Sequence, residues 1–215
     1  IEYFPLHITF IVKASTKVGF GHLIRSRSLA NQIEKLLIDK QTLQFCIIGE
    51  QSLEVLLSGL DYPVKIFESE EHFIASHEEV NLTDIVVFDL LSVEDNLFEL
   101  TTKAHWRISI SPIFSHLNDI DTFIHRSKYF DNHLLCKNVI KGLEFAIIQD
   151  GCRQIDAGSY KRNLNEERLS LAISMGGGDA ANKTLQVIQR LNKLQQNFTI
   201  WVMLGEGYKH SYAAF

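Results

Sequence analysis

Val18 to Arg25 reads V-G-F-G-H-L-I-R, and it is the stretch of this chain best suited to chemistry. Imidazole moves protons near neutral pH. Guanidinium holds oxyanions, and glycine lets a ligand reach the backbone where a side chain would block it. A helix starting near Gly21 would carry His22 and Arg25 on one face, a turn apart. Its opening amides have no intrahelical partners, and with the positive end of the helix dipole they suit a phosphate or carboxylate. Gly19, Gly21 and Arg25 are therefore candidate anion contacts and His22 a candidate proton carrier. The bland alternative is a tight strand-to-helix turn with a surface histidine. The dinucleotide fingerprint G-x-G-x-x-G is absent, because the place of its third glycine is taken by Ile24.

A second glycine turn lies at Ser174–Thr184, S-M-G-G-G-D-A-A-N-K-T. Gly176, Gly177 and Gly178 follow an apolar run and precede a helical one, the setting of a phosphate cradle. Asp179, Asn182 and Thr184 are available as caps, and Asp179 and Asn182 as ligand contacts. The lysine spacing of a P-loop is missing, which speaks against an ATPase. Asp89 closes the apolar run D-I-V-V-F-D-L, at the end of a strand where open α/β sheets place ligands. Capping the next helix is an equal alternative for it. His116, His125 and His133 lack metal-ligand spacing, and His72 and His77 are five apart, so no metal site is assigned. The run E-S-E-E-H at Glu68–His72 reads as a solvated helix start.

Those residues need a scaffold, and the rest of the chain describes one. Strand-like runs at Ile8–Val12, Gln44–Gly49, Val64–Phe67, Asp84–Leu90, Trp106–Ser111 and Phe145–Gln149 alternate with helical spacing at Leu23–Leu37, Ser52–Leu57 and Glu94–Ala104. On the first helix, Leu29, Ile33 and Leu36 read as the stripe facing the sheet. Alternation of this kind predicts a mostly parallel sheet with crossover helices. The rhythm fades after Ser127 and restarts with a strand at Leu169–Ser174, a helix near Leu185–Leu194 and a strand in F-T-I-W-V-M-L-G. We therefore expect a first domain over residues 1–150, a linker over 151–168, and over 169–215 the start of a second domain. One strand–helix–strand unit is too small for an independent core, so the second domain reads as truncated.

Composition excludes other classes. The 215 residues are 46% hydrophobic with a net charge of −5, without the basic surplus of a nucleic-acid binder. Three widely spaced cysteines, Cys46, Cys136 and Cys152, give no disulfide framework, which fits a reducing cytoplasm. No apolar stretch is long enough for a membrane helix, so stable membrane insertion is not expected. The chain begins at Ile1, as a processed or excised product would.

In order and spacing, K-A-S-T-K-V-G-F-G-H-L-I-R-S-R-S-L-A-N-Q-I, I-V-V-F-D-L-L-S-V-E-D, L-E-F-A-I-I-Q-D-G-C-R-Q-I and L-A-I-S-M-G-G-G-D-A-A-N-K-T resemble segments of the pseudaminic-acid-pathway UDP-sugar hydrolases. The resemblance is most specific at G-F-G-H-x-x-R and M-G-G-x-D. It implies an α/β, glycosyltransferase-B-like architecture of two Rossmann-like domains. It also implies a cofactor-free and metal-free enzyme that removes UDP from an amino-deoxy sugar by water attack, in surface-glycan biosynthesis. His22 falls at the family's catalytic histidine, Asp89 at the strand-end aspartate, and Gly176–Gly178 on the diphosphate side. The implied partner is a UDP-sugar. Where those hydrolases carry a tyrosine two residues after the aspartate, this chain has Leu91. A glycosyltransferase using the same cleft, or a nucleotide-sugar binding protein without turnover, are the alternatives.

Overall fold

The computed structural model describes residues 6–15, 18–37, 41–50, 57, 62–113, 115–127, 136–149, 152, 169–205, 207–211 and 213. Contacts divide the chain into two units: residues 1–15 with 22–150, and residues 16–21 with 151–215. The expected linker, residues 151–168, lies outside the described residues apart from Cys152, as does the expected Ser52–Leu57 helix apart from Leu57.

The first unit is a seven-stranded sheet. Its strands are β1 (Leu6–Ala14), β2 (Gln41–Gly49), β3 (Val64–Phe67), β4 (Ile85–Asp89), β5 (Trp106–Ser109), β6 (Thr122–His125) and β7 (Asn138–Lys141). Every pairing is parallel and the spatial order is β3-β2-β1-β4-β5-β6-β7. This is a Rossmann-like α/β sheet, whose chain runs outward from β1 in one direction and then returns to start again at β4. Helices α1 (Gly21–Leu36), α2 (Glu70–Ala75) and α3 (Asp95–Leu100) connect strands. Central strands are buried on both faces: Phe10, Ile11, Val12, Phe45, Cys46, Ile47, Val86 and Phe88 have no exposed surface. Continuous apolar runs are what such a position demands. Phe10 and Phe45 stack across β1 and β2, ring centroids 4.8 Å apart. Burial pushes the Cys46 thiol up to about 12, so it serves here as a small hydrophobe.

Four expectations change. Phe145–Gln149 is not a strand: a 3-10 turn occupies Leu143–Phe145, Gly142 before it has φ 146°, and no ladder follows. The edge is already held by β7, which with β6 went unread because each is four residues long and mixes polar with apolar side chains. The Glu94–Ala104 helix ends as α at Leu100 and tightens into a 3-10 turn over Thr101–Lys103. Helix α1 faces the sheet through Leu23, Ser26 and Ala30, whereas Leu36 is 80% exposed. The acidic run at Glu68–His72 does open a helix, capped by Ser69, but Glu70 is buried rather than solvated.

The second unit contains β8 (Leu169–Ser174), α4 (Lys183–Leu191) and β9 (Phe198–Met203), with β8 and β9 parallel. It is a strand–helix–strand crossover, the elementary piece of a parallel sheet. Within this unit the turns after the two strands pack together: the Gly207 amide donates to the Gly177 carbonyl at 2.9 Å. A Cβ on Gly205 would lie 2.5 Å from the Gly177 Cα, so only glycine fits there. The Phe20 ring borders the same pair of turns, 3.4 Å from where a Cβ on Gly177 would be.

Candidate functional site

Strands β1 and β4 are adjacent and parallel, with Val12 opposite Asp89 in register. Their carboxyl ends form the switch point of the sheet, because the chain leaves β1 toward β2 and returns to β4 on the other side. Helix α1 springs from the end of β1, so its first two turns stand over the end of β4. Asp89, the last residue of β4, is fully buried. A carboxylate without water must be paired or change its protonation.

It is paired by four side chains. His22 Nδ1 lies 2.6 Å from Oδ1. Arg25 grips both oxygens, with Nε 3.0 Å from Oδ2 and Nη2 against Oδ1. Ser26 Oγ donates to Oδ2 at 3.0 Å, and Ser111 Oγ donates to Oδ1 at 2.6 Å. Arg25 Nη2 also reaches Ser111 Oγ at 2.7 Å. The Ser109 hydroxyl donates to the Ser111 carbonyl and fixes the turn that presents Ser111. Burial pushes the Asp89 carboxyl up. Hydrogen bonds from His22, Arg25 and Ser111, together with the charge of Arg25, outweigh that and hold it below the usual carboxylate range.

An ionised carboxylate only accepts, so the 2.6 Å contact requires a proton on Nδ1 of His22. In the neutral imidazole that assignment leaves Nε2 as the lone-pair nitrogen. Among the described residues Nε2 has no hydrogen-bond partner. The His22 side chain is 15% exposed and that of Arg25 22%, whereas Asp89 shows none. Only His22 and Arg25 of this cluster can therefore meet a ligand. The arrangement can take a proton from a water or hydroxyl at Nε2, with Asp89 steadying the ring.

The structure thus brings together His22, Arg25 and Asp89, which the sequence picked out separately. It gives Asp89 a buried position behind the histidine, out of reach of substrate. Arg25, expected at the anion, spends Nε and Nη2 on Asp89 and Ser111. Gly19 has φ 87°, a left-handed backbone that accounts for glycine there. Gly21 opens α1, whose first turn contains no acidic residue. Leu91 is 54% exposed. Ser26 and Ser111 went unrecognised. Ser26 follows His22 by four, on the same helix face, and Ser111 follows the strand next to β4; both are legible only once the strand order is known. A second buried ion sits near the same sheet edge, where Glu70 accepts from Lys13 Nζ at 3.2 Å and from the Glu94 amide at 2.7 Å. It ties the end of β1 to α2 and the start of α3.

In the second unit, Gly176 has φ 78° and Asp179 and Asn182 have φ 40° and 49°. The Asp179 carboxylate accepts from the amides of Lys183 at 2.7 Å and Thr184 at 2.9 Å. Asn182 Oδ1 accepts from the Tyr208 hydroxyl at 2.9 Å, and His210 Nε2 lies 3.0 Å from the Asp179 carbonyl. Slight burial raises the Asp179 carboxyl, and hydrogen bonds from Thr184 and Lys183 outweigh it, leaving it below the ordinary range. Asp179 and Asn182, expected as ligand contacts, are thereby engaged within the protein. Among the described residues no group of three or more His, Cys, Asp or Glu side chains is placed to hold a metal ion. No described helix is long and apolar enough to cross a membrane.

Fold and cluster define a Rossmann-like α/β protein with a histidine–aspartate pair at the switch point of its sheet. No family model matches the chain. It is similar to the uncharacterized protein MJ1062 of Methanocaldococcus jannaschii, with 24% identity over 218 residues, covering 95% of this chain and 44% of that relative. The chain therefore spans less than half the length of the relative it matches.

Proposed function

We propose that this chain belongs to a nucleotide-sugar enzyme that hydrolyses a UDP-amino-deoxy-sugar and releases UDP, within surface-glycan sugar biosynthesis. The observation that carries the reading is the 2.6 Å contact of His22 Nδ1 with buried Asp89, at the carboxyl edge where β1 and β4 meet, with no partner on Nε2 among the described residues. Water attacks the anomeric carbon and gives its proton to Nε2, while the bond from that carbon to the diphosphate oxygen breaks. UDP leaves with the electron pair. A positioned base of this kind contributes roughly 10²–10⁴-fold in rate. The amides opening α1, which has no acid in its first turn, suit the negative charge that grows on the diphosphate. The Rossmann-like first unit and the strand–helix–strand second unit are each what a glycosyltransferase-B arrangement is built from. The G-F-G-H-x-x-R and M-G-G-x-D motifs supply the choice of UDP-sugar over other phosphorylated ligands.

One observation favours a second reading, a nucleotide-sugar binding protein without turnover. Leu91 stands half exposed two residues past Asp89 and offers a substrate no hydroxyl. Chromatographic detection of UDP from UDP-amino-deoxy-sugars, with and without acceptor sugars, separates the readings. Release in water alone is the expected result. Release only with an acceptor means a transferase, and calorimetric binding of UDP without release means the binding protein. Neither binding nor release overturns the proposal.

A further inference from the structure

We infer that Arg25 is a positioning residue that decides which nitrogen of His22 carries the proton, by keeping Asp89 ionised. This rests on the reading of His22 as the base and assigns Arg25 away from the substrate's diphosphate.

The geometry is specific. A carboxylate offers about four lone-pair sites, and Asp89 receives five donor atoms: His22 Nδ1, Arg25 Nε, Arg25 Nη2, Ser26 Oγ and Ser111 Oγ. Its acceptor capacity is filled, so nothing in the wild-type arrangement invites a proton onto it. Of these donors only Arg25 brings a permanent charge. Helix α1 contributes the titratable His22 and the charged Arg25, the turn after β5 contributes the neutral Ser111, and β1 places apolar Val12 in register beside Asp89. Among the described residues no other charged group touches the carboxylate.

Without Arg25, a fully buried carboxylate would keep only the two serines and the His22 ring as partners. Such a group takes up a proton at higher pH than in the wild type, because burial disfavours its charged form. A protonated Asp89 donates rather than accepts. Its hydrogen would point at Nδ1, and the single proton of the neutral imidazole would then sit on Nε2, the atom that must be bare to act as a base. The ring need not move. Arg25 Nη2 itself approaches Nδ1 to 3.1 Å. A guanidinium has nothing to accept with, so this contact does not compete with Asp89 for the Nδ1 proton.

The experiment is nitrogen NMR of the full chain with labelled histidine, without substrate, on wild type, Arg25→Gln and Arg25→Lys. Wild type and Arg25→Lys, which keep a cation, should show His22 protonated at Nδ1 at pH 7.5. Arg25→Gln should shift the population to Nε2–H and return to Nδ1–H as the pH is raised and Asp89 ionises. Parallel assays of UDP release should show kcat lowered about 100-fold at pH 7.5 in Arg25→Gln, recovering at alkaline pH, with KM unchanged. An unchanged tautomer in Arg25→Gln overturns the inference, as does a raised KM with no recovery at alkaline pH, which would mark Arg25 as a substrate ligand. Should Arg25→Gln not fold, Arg25→Met removes the charge at similar bulk, and Nδ1–H persisting there at pH 7.5 overturns the inference equally. The tautomer needs no turnover, so an inactive wild type counts against the hydrolase reading alone.

Discussion

The chain contains two strand–glycine–helix turns that look alike in sequence and differ in electrostatics. The turn after β1 leads into a helix with no acid in its first turn, and that helix contributes a histidine and an arginine to a carboxylate from another strand. The turn after β8 turns in on itself: Asp179 folds its carboxylate onto the amides of Lys183 and Thr184. Both satisfy the same physics, since opening amides want an acceptor. One helix start carries its acceptor on the adjacent loop. Glycines announce that a backbone bends sharply; the nearest acid decides whether the amides behind them remain available.

If the first turn is the reactive one, the largest effect should come from His22→Ala. Turnover should fall by ~10²–10⁴-fold, with UDP affinity by calorimetry unchanged. Unaltered turnover would make the two turns equivalent scaffolds and end the distinction.

Asp89→Ala comes next, and its readout is stability. It strands Arg25, whose guanidinium is mostly out of water, and a broken buried pair costs about 3 kcal/mol at the lower end of the usual range. Urea unfolding at pH 7 measures it. The pH dependence has a definite sign. Asp89 is held below the ordinary carboxylate range when folded, so its stabilisation is fully present above that range and is lost as the pH falls through the lowered value. Wild type should lose the difference from Asp89→Ala in strongly acidic buffer; a constant difference down the whole range would contradict the pairing described.

The central strands and α1 were legible because buried parallel strands are continuous apolar runs, as in Ile85–Asp89. Strands β6 and β7 were not, since four residues such as Thr122–His125 carry no such signal, and Phe145–Gln149 carried it without a neighbour to pair with. Within the site, His22 and Arg25 declared themselves by helical spacing and Asp89 by ending an apolar run. Ser26 and Ser111 are ordinary serines in the sequence. They acquire meaning from strand order, which brings the end of β5 beside the end of β4, a relation no local pattern encodes. The face of α1 departs from the expected stripe: Leu23, Ser26 and Ala30 are its buried positions, while Leu29 and Ile33 are half-buried and Leu36 is exposed.

The second turn can be sharpened at Gly205. A Cβ there meets Gly177 backbone at 2.5 Å, so backbone and not a pliable side chain must yield. Gly205→Ala should destabilise by about 2 kcal/mol, as overpacking does. Hydrogen exchange should show the loss concentrated in the turns after β8 and β9 and absent from the amides of β1 and β4. Uniform loss would mean the two units unfold together.

The smallest effect is expected from Asp179→Ala, and it bears most directly on the comparison. Asp179 serves α4 as an N-cap would, and losing such a cap costs about 1 kcal/mol. The variant also bares the amides of Lys183 and Thr184 at the start of a nine-residue helix, returning the second turn to the state its glycines advertise. If the internal carboxylate is what separates the turns, Asp179→Ala should bind inorganic phosphate near Lys183 more tightly than wild type does, seen as amide shifts of Lys183 and Thr184. The gain should shrink with added salt, since screening weakens exposed charge interactions. The wild-type cap should fail in acid for the same reason, because Asp179 loses its hold as it takes up a proton below the ordinary carboxylate range. Acidified wild type and Asp179→Ala should then show matching exchange at those two amides. If phosphate shifts them equally in wild type and variant at neutral pH, the carboxylate yields to an incoming anion, and the second turn is as open to ligands as the first.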